Sequence, residues 1–344
     1  MTVKIKTESE LEELLSRPDE ETASAMAAME GDLLILGAGG KMGPSLARLA
    51  RRAIDQAGVK KQVIAVARFT NDKLLSAFAE HGVDTIACDL LDRSSLDKLP
   101  DIPNVVFMAA RKFGTAGDEH QTWAMNTFLP GLIAERFRNS RIVAFSTGNV
   151  YPLRSLEEGG ALETTTPVGP IGEYAQSALG RERMFEYGSA RWHTPVVILR
   201  LNYAVELRYG VLVDIGRAVF ERRPIDLCMP RVNVIWQRDA NSWCLRSFAH
   251  CQSPPLVLNV TGPETLSVRE LALEFGKHFS VKPTFVSSTE GSSALLSDVS
   301  KARGLFGSPT VRPAQMIEWI ANWIRDGGSM LNKPTHFQTR DGRF

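Results

Sequence analysis

The sequence predicts an α/β fold: a doubly wound parallel sheet with a smaller mixed α/β lobe toward its C-terminal side. Three observations point there. First, the apolar runs LLIL (33–36), VIAVA (63–67), NVVFMAA (104–110), RIVAFST (141–147) and VVILRLN (196–202) lack polar alternation, as expected of strands buried on both faces. Second, stretches with helical spacing separate these runs, the pattern of parallel strands joined by crossover helices. Third, after residue 205 the rhythm loosens into short elements punctuated by Pro224, Pro230, Pro254, Pro255, Pro263 and Pro283.

In chain order, residues 1–30 read as a helical arm. Thr7 to Glu10 fits a capping box, with Leu11, Leu14 and Leu15 as a short apolar face. Pro18 breaks that helix, Asp19 to Glu21 start a second through Met29, and Gly31 is the expected stop. Residues 31–205 form the sheet domain, with helices expected over 44–57 and 72–81 and a further strand over 84–90. Residues 206–330 form the smaller lobe, its boundary interleaved with the sheet domain, and include an amphipathic helix over 314–325. The polar tail 331–344 is expected to wrap the surface.

The chain has 344 residues, 44% of them hydrophobic and 23% charged, with a formal net charge of +1. So even a balance gives no electrostatic footprint for nucleic acid or an anionic membrane. No apolar run approaches the ~18 residues of a membrane span, and the N-terminus lacks the apolar stretch of a signal peptide. Cys88, Cys228, Cys244 and Cys251 form no CxxC pair and read as packing residues of a reducing, cytoplasmic compartment. Cys244, His250 and Cys251 lack a fourth ligand, so no metal is expected.

GAGGKMG follows the first strand and opens a helix. Gly37 permits the tight turn, Gly40 lets the backbone approach a pyrophosphate, and Gly43 lets helix and strand pack closely. The helix N-terminus then favours phosphate. In this strand–turn–helix setting the motif predicts a Rossmann dinucleotide site. The second strand ends in AVARFT, with Arg68 where an NAD enzyme usually offers an acid. A guanidinium there pairs with a 2′-phosphate, and Lys41 adds charge, so NADP is favoured over NAD. Asp89 reads either as an acceptor for the adenine amino group or as a cap for Leu91 onward.

These motifs together resemble the extended short-chain dehydrogenase/reductase family, in its NAD(P)-dependent epimerase/dehydratase branch. The resemblance covers about residues 32–325 and rests on GAGGKMG, CDLLD (88–92), FMAA (107–110), Asn126, FSTGNVY (145–151), Tyr174 and LRLNYAV (199–205). It extends through VIWQRDAN (234–241), LNVTGPETLS (258–267) and SDVSKARGLFG (297–307). It implies a cofactor lined by Gly37, Gly40, Lys41, Met42, Gly43, Arg68, Asp89, Leu90, Ala109, Ala110 and Asn126. It implies Thr147 as the hydroxyl that holds the substrate oxygen and Tyr174 as the catalytic base. Substrate contacts fall on Asn149, Asn202 and Arg111. A homodimer through the helices beside Tyr174 is the arrangement it implies.

One position departs from the pattern. The family's lysine, four residues after the tyrosine, is Ala178 here. A free tyrosine with a pKa of about 10 is only about 0.1% ionised at neutral pH, and closing that gap takes ~4 kcal/mol. A unit positive charge ~7 Å away, at an effective dielectric of ~20, supplies roughly 2.4 kcal/mol. Two cations are candidates: Arg181, one helical face along, and Lys112, after the fourth strand. A lysine restored at 178 is expected to leave the fold intact.

Dehydratases of the branch carry Asp and Glu straight after the threonine, where this chain has Gly148 and Asn149, so dehydration is not expected. The expected activity is oxidation of a secondary alcohol of a sugar, sugar acid or nucleotide sugar by hydride transfer, as net dehydrogenation or within an epimerisation. The alternative is a non-catalytic dinucleotide sensor or scaffold. The partner is a small carbohydrate, with neither nucleic acid nor membrane. Arg208 and Arg231 are further anion-binding candidates. Trp236 reads equally as a stacking platform or a packing residue.

Overall fold

The computed structural model describes residues 4–70, 72–114, 117–168, 171–333 and 335–343; Met1–Val3, Pro334 and Phe344 of the arm and tail lie outside them. Seven parallel strands form the central sheet: β1 (Leu33–Leu36), β2 (Val63–Ala67), β3 (Asp84–Ala87), β4 (Asn104–Phe107), β5 (Arg141–Thr147), β6 (Val196–Leu201) and β7 (Leu256–Val260). Their spatial order is β7-β6-β5-β4-β1-β2-β3. Leu33 of β1 pairs with Val63 on one side and Asn104 on the other, so the strand order reverses beside β1. A crevice outside the carboxyl ends of the strands opens at such a reversal.

The apolar runs became strands because both faces are covered. Leu33, Ile35, Ala65 and Val143 pack into one core with the arm residues Met26 and Met29 and with Trp243. Leu34, Leu36, Val105, Phe107 and Ile142 pack into the other with Leu129, Ile133 and Phe185. The third core belongs to the smaller lobe and joins the helices Val211–Phe220, Val268–Phe279 and Pro313–Arg325.

The arm forms the expected helices Glu8–Leu15 and Glu20–Ala28, the first with its capping box intact. It packs on its own chain. Leu11 and Leu15 are fully buried in the lobe core, and Glu13 pairs with Arg52 at 2.7 Å on the helix Gly43–Gln56. The tail does more than wrap the surface, because Phe337 is buried in the lobe core.

Candidate active site

The glycine turn behaves sterically as its spacing predicts. A Cβ at Gly37, whose φ is +88°, would sit 2.6 Å from the Ala109 nitrogen, and one at Gly43 would sit 2.1 Å from the Ala38 carbonyl oxygen. Gly40 has only the Gly37 carbonyl near, at 3.5 Å, so its backbone faces open space. That space is a cleft of about 810 Å³ lined by Gly37, Gly40, Arg68, Asp89, Leu90 and Ala109, among others. An open backbone at the start of a helix, between glycines that admit no side chain, fits a dinucleotide pyrophosphate. Asp89 accepts a hydrogen bond from the Leu91 N–H at 3.1 Å, a local turn contact, while the helix that follows, Arg93–Leu96, is capped by Asp92.

A second cavity, about 400 Å³, shares Gly40, Met108 and Ala110 with the cleft and continues it toward the smaller lobe. Thr147, at the end of β5, and Tyr174, in the first turn of the helix Gly172–Trp192, both line it. Lys41, Met42, Lys112, Arg181, Asn149 and Asn202 share the same walls, whereas Arg111 lines the cofactor cleft. Arg111 is paired with Asp118 at 2.5 Å. Gly43 and Asn126 lie behind the cavity surface.

Asn126 organises this region. It sits in a π-helical turn, Ala124–Phe128, a local widening that frequently marks functional sites. Its carbonyl oxygen accepts from the Arg111 N–H at 2.9 Å and from Arg181 Nη2 at 2.8 Å. Its amide donates to the Arg111 carbonyl at 2.8 Å and to Ser177 Oγ at 3.0 Å. Every polar capacity of the side chain is used, so the strand end carrying Arg111 and the tyrosine helix are held in fixed register.

Both cations proposed to replace the missing lysine adjoin the tyrosine. Arg181 is 2% exposed, and its Nη1 donates to the Phe145 carbonyl at 2.9 Å. Burial pulls its pKa down, the charges of Tyr174 and Glu182 oppose that, and an arginine stays protonated regardless. Lys112 places its Nζ 5.7 Å from the Tyr174 ring centroid. Burial lowers its pKa to about 8, so it remains mostly charged at neutral pH.

Lys41 was read as a neighbour of the cofactor's ribose phosphate. Its side chain runs the other way. Nζ lies 3.2 Å from the Ala204 carbonyl and 3.8 Å from the Tyr209 ring centroid, in the Tyr174 cavity, whereas Arg68 lines the cofactor cleft. Burial brings its pKa to about 7, with the Glu206 carboxylate acting in the opposite direction.

Ala178 is fully buried against Val150, Tyr151 and Ala161, with Leu179 beside them. The helix turns that position into packed side chains. Ala178→Lys should therefore lower stability by roughly 1–3 kcal/mol, as overpacking does, a cost that the sequence alone does not reveal. Urea unfolding of the variant measures this, and an unchanged midpoint would show that the site has room for the chain.

Other candidates resolve into structural roles. Arg208 is shared between Glu206 at 3.1 Å and Glu12 at 2.7 Å, and Arg231 pairs with Glu290 at 2.9 Å. Trp236 is fully buried edge-on to Trp319, a packing role. The four cysteines are free thiols. The sequence reading missed Tyr203, Tyr209, Phe113, Lys333 and Thr335, all in the cavity wall. Tyr203 holds a φ of +50°, a backbone conformation uncommon outside glycine and frequent at functional sites. Its only signal in the sequence is its place directly after Asn202.

Among curated proteins, none matches this chain in sequence. Among solved structures it is similar to UDP-glucuronic acid 4-epimerase from Bacillus cereus in complex with UDP-glucuronic acid and NAD, at 21% identity and a TM-score of 0.69. That match covers 86% of this chain and 99% of the other. UDP-glucose 4-epimerase from Thermotoga maritima with UDP-glucose matches at 14% identity and a TM-score of 0.70, over 86% and 98% of the two chains. An epimerase from Methanothermobacter thermautotrophicus matches at 17% identity and a TM-score of 0.70, over 90% and 97%. Identities this low carry the fold alone. The family assignment comes from the sequence itself, where residues 33–205, from the first strand to the wall of the Tyr174 cavity, match the model of one family. The chain belongs to the NAD dependent epimerase/dehydratase family.

Proposed function

We propose that the protein is an NAD(P)-dependent oxidoreductase or epimerase that oxidises a secondary alcohol of a carbohydrate. The observation that carries this reading is that Tyr174 and Thr147 line one cavity, and that this cavity opens into the cleft over the glycine turn. A bound nicotinamide dinucleotide supplies the hydride acceptor. The chain supplies the rest. Thr147 Oγ accepts from the Asn149 N–H at 3.2 Å and donates to Asn149 Oδ1 at 3.1 Å, which fixes it at the cavity wall where it can exchange Asn149 for a substrate oxygen. The Tyr174 oxygen takes the proton of the reacting hydroxyl. Arg181 and Lys112 stabilise the phenolate that this role requires, in the low-dielectric surroundings of a buried site. The reverse sequence, with the proton returned by Tyr174, completes a reduction or an epimerisation. The Tyr174→Phe experiment below tests the reading.

We infer that NADP(H) is the preferred cofactor. Arg68 directly follows β2 and lines the cleft, and Asp89 is the only acid among the described lining residues. Charge-assisted hydrogen bonds contribute about 1.5–3 kcal/mol each, or roughly 10–100-fold in affinity. Arg68→Ala should weaken NADPH by about that factor and NADH by less than about threefold. Fluorescence titration of both cofactors measures it, and equal weakening would refute the preference. We further propose a homodimer through the helices Leu129–Arg136 and Gly172–Trp192, where Phe128, just before the first, and Tyr187, in the second, stand 60% and 58% exposed. Sedimentation of the wild type tests it.

A further inference from the structure

We propose that the substrate is a single sugar-sized anion, carrying its own carboxylate or phosphate and no nucleotide, and that Lys41 holds the anionic group. The inference rests on the oxidoreductase reading for the identity of the reacting hydroxyl. Its own support is the distribution of charge and space around Tyr174.

The described residues of the cavity wall include four basic side chains, Lys41, Lys112, Arg181 and Lys333, and no carboxylate. Arg181 is committed to Asn126 and Phe145. Lys41 crosses the cavity to the smaller lobe, away from the Arg68 end of the cofactor cleft, and rests on the Tyr209 ring. The carboxylate behind it is that of Glu206, which is fully buried and shared with Arg208 at 3.1 Å, and whose second oxygen has no hydrogen-bond partner. Asp214, also on that side, accepts from the Thr335 N–H and hydroxyl at 2.8 and 2.5 Å. An ammonium so desolvated gains most from an anion entering the cavity it faces.

Space sets the size of that anion. The tail runs across the lobe side of the site and is fastened along its length. Phe337 fills the lobe core. The guanidinium of Arg340 donates to the carbonyls of Cys228 and Ser293 at 2.9 and 3.0 Å, and to Ser293 Oγ at 2.7 Å. Gly342 packs on Ile171 and Gly172, at the start of the tyrosine helix. The tail thereby lies between the lobe residues Cys228 and Ser293 and the start of the tyrosine helix. The cavity left at Tyr174, about 400 Å³, has to admit both the nicotinamide end of the cofactor and the substrate. A neighbouring hollow of about 330 Å³ is walled partly by the tail, and its arginines are engaged: Arg208 with Glu12 and Glu206, Arg217 and Arg223 with Glu221. Among the described residues, that hollow offers a nucleoside diphosphate no uncommitted arginine pair.

The test is calorimetric binding to the full chain loaded with NADPH, using D-glucuronate, D-glucose 6-phosphate, D-glucose and UDP-glucuronic acid. One of the two small anions should bind at least about tenfold more tightly than glucose, and UDP-glucuronic acid no more tightly than that anion. Which anion prevails separates carboxylate from phosphate. Lys41→Met should abolish the preference while changing NADPH affinity less than about threefold, and Lys41→Arg should retain it. Tighter binding of UDP-glucuronic acid, or equal binding of glucose and both anions, overturns the proposal from the wild type alone. Parallel loss of NADPH affinity in Lys41→Met also overturns it, since Lys41 would then serve the cofactor. Because the readout is binding, its failure is distinct from a failure of hydride transfer: UDP-sugar turnover would remove the substrate class and keep the oxidoreductase.

Discussion

Tyr174→Phe is expected to lower kcat/KM for hydride transfer by about 10²–10⁴, the range contributed by a positioned proton acceptor, with cofactor affinity unchanged. The substitution removes one oxygen from a buried ring and leaves its packing in place, so the loss reports on chemistry. Single-turnover reduction of bound NADP⁺, followed by nicotinamide absorbance, measures the step. Thr147→Val should cost less, because it removes a hydroxyl that orients the substrate oxygen and leaves the acceptor in place. The two together should cost less than the product of their separate effects, since groups acting on one proton are not additive. Arg181→Met tests the cation: it should shift the pH–rate profile toward alkali, because phenolate then forms only at higher pH. A profile unmoved by Arg181→Met would leave that role to Lys112. If Tyr174→Phe retained activity within about threefold of wild type, the base would have to be another group and the reading of the cavity would fall.

The fold was legible where burial imposed a long pattern and illegible where contacts came from far along the chain. Five apolar runs and the 84–90 stretch announced six strands. The seventh, Leu256–Val260, carries Asn259 in its interior and is bounded by Pro254, Pro255 and Pro263, so it did not read as a core strand. The structure explains its polarity: the Asn259 amide donates to the Ala161 and Asp298 carbonyls at 2.8 Å each, and its oxygen accepts from the Tyr151 hydroxyl at 2.9 Å. Because β7 pairs with β6, the chain returns to the main sheet after the lobe has begun. In the lobe, two-residue pairings such as Leu266 with Val232 are too short to set a period.

The candidate site divides along the same line. Thr147, Tyr174 and the glycine turn stand in local motifs whose spacing carries their geometry. Lys41 was visible in the turn, but its direction is set by Ala204 and Tyr209, on elements far downstream. The tail's polar composition suggested a surface wrap, whereas its course is fixed by Phe337 and Arg340 finding partners across the lobe. Ala178 read as a missing charge, and only the packing of Val150, Tyr151 and Ala161 around it shows why no long side chain stands there.

Glu182→Ala should lower unfolding free energy by about 3–5 kcal/mol, the cost of leaving a buried charge without its partner. Glu182 is fully buried and Arg200 is 4% exposed. Arg200 donates to both carboxylate oxygens, from Nε at 3.0 and 3.2 Å and from Nη2 at 2.7 Å, the strong bidentate form. Burial works against the Arg200 charge, but the carboxylate more than offsets it and the pKa rises. The pair also ties the site together. Ser146 donates to Glu182, Arg200 Nη1 donates to the Tyr151 hydroxyl at 2.7 Å, and Thr147 lies between those two anchored residues. Without the carboxylate, Arg200 keeps only Tyr151 and the Glu163 carbonyl, too little to compensate its desolvation. Replacing both members with methionine should recover much of the stability, because an apolar pair of similar volume carries no desolvation cost. Activity should not recover with it, since Ser146 would lack Glu182, Tyr151 would keep Asn259 but lose Arg200, and Thr147 would lose its fixed position. A urea-unfolding double-mutant cycle, paired with kcat, separates the two effects. A single-variant loss below about 1 kcal/mol would show the pair to be worth no more than a surface contact, and full activity in the double variant would remove its role in holding Thr147.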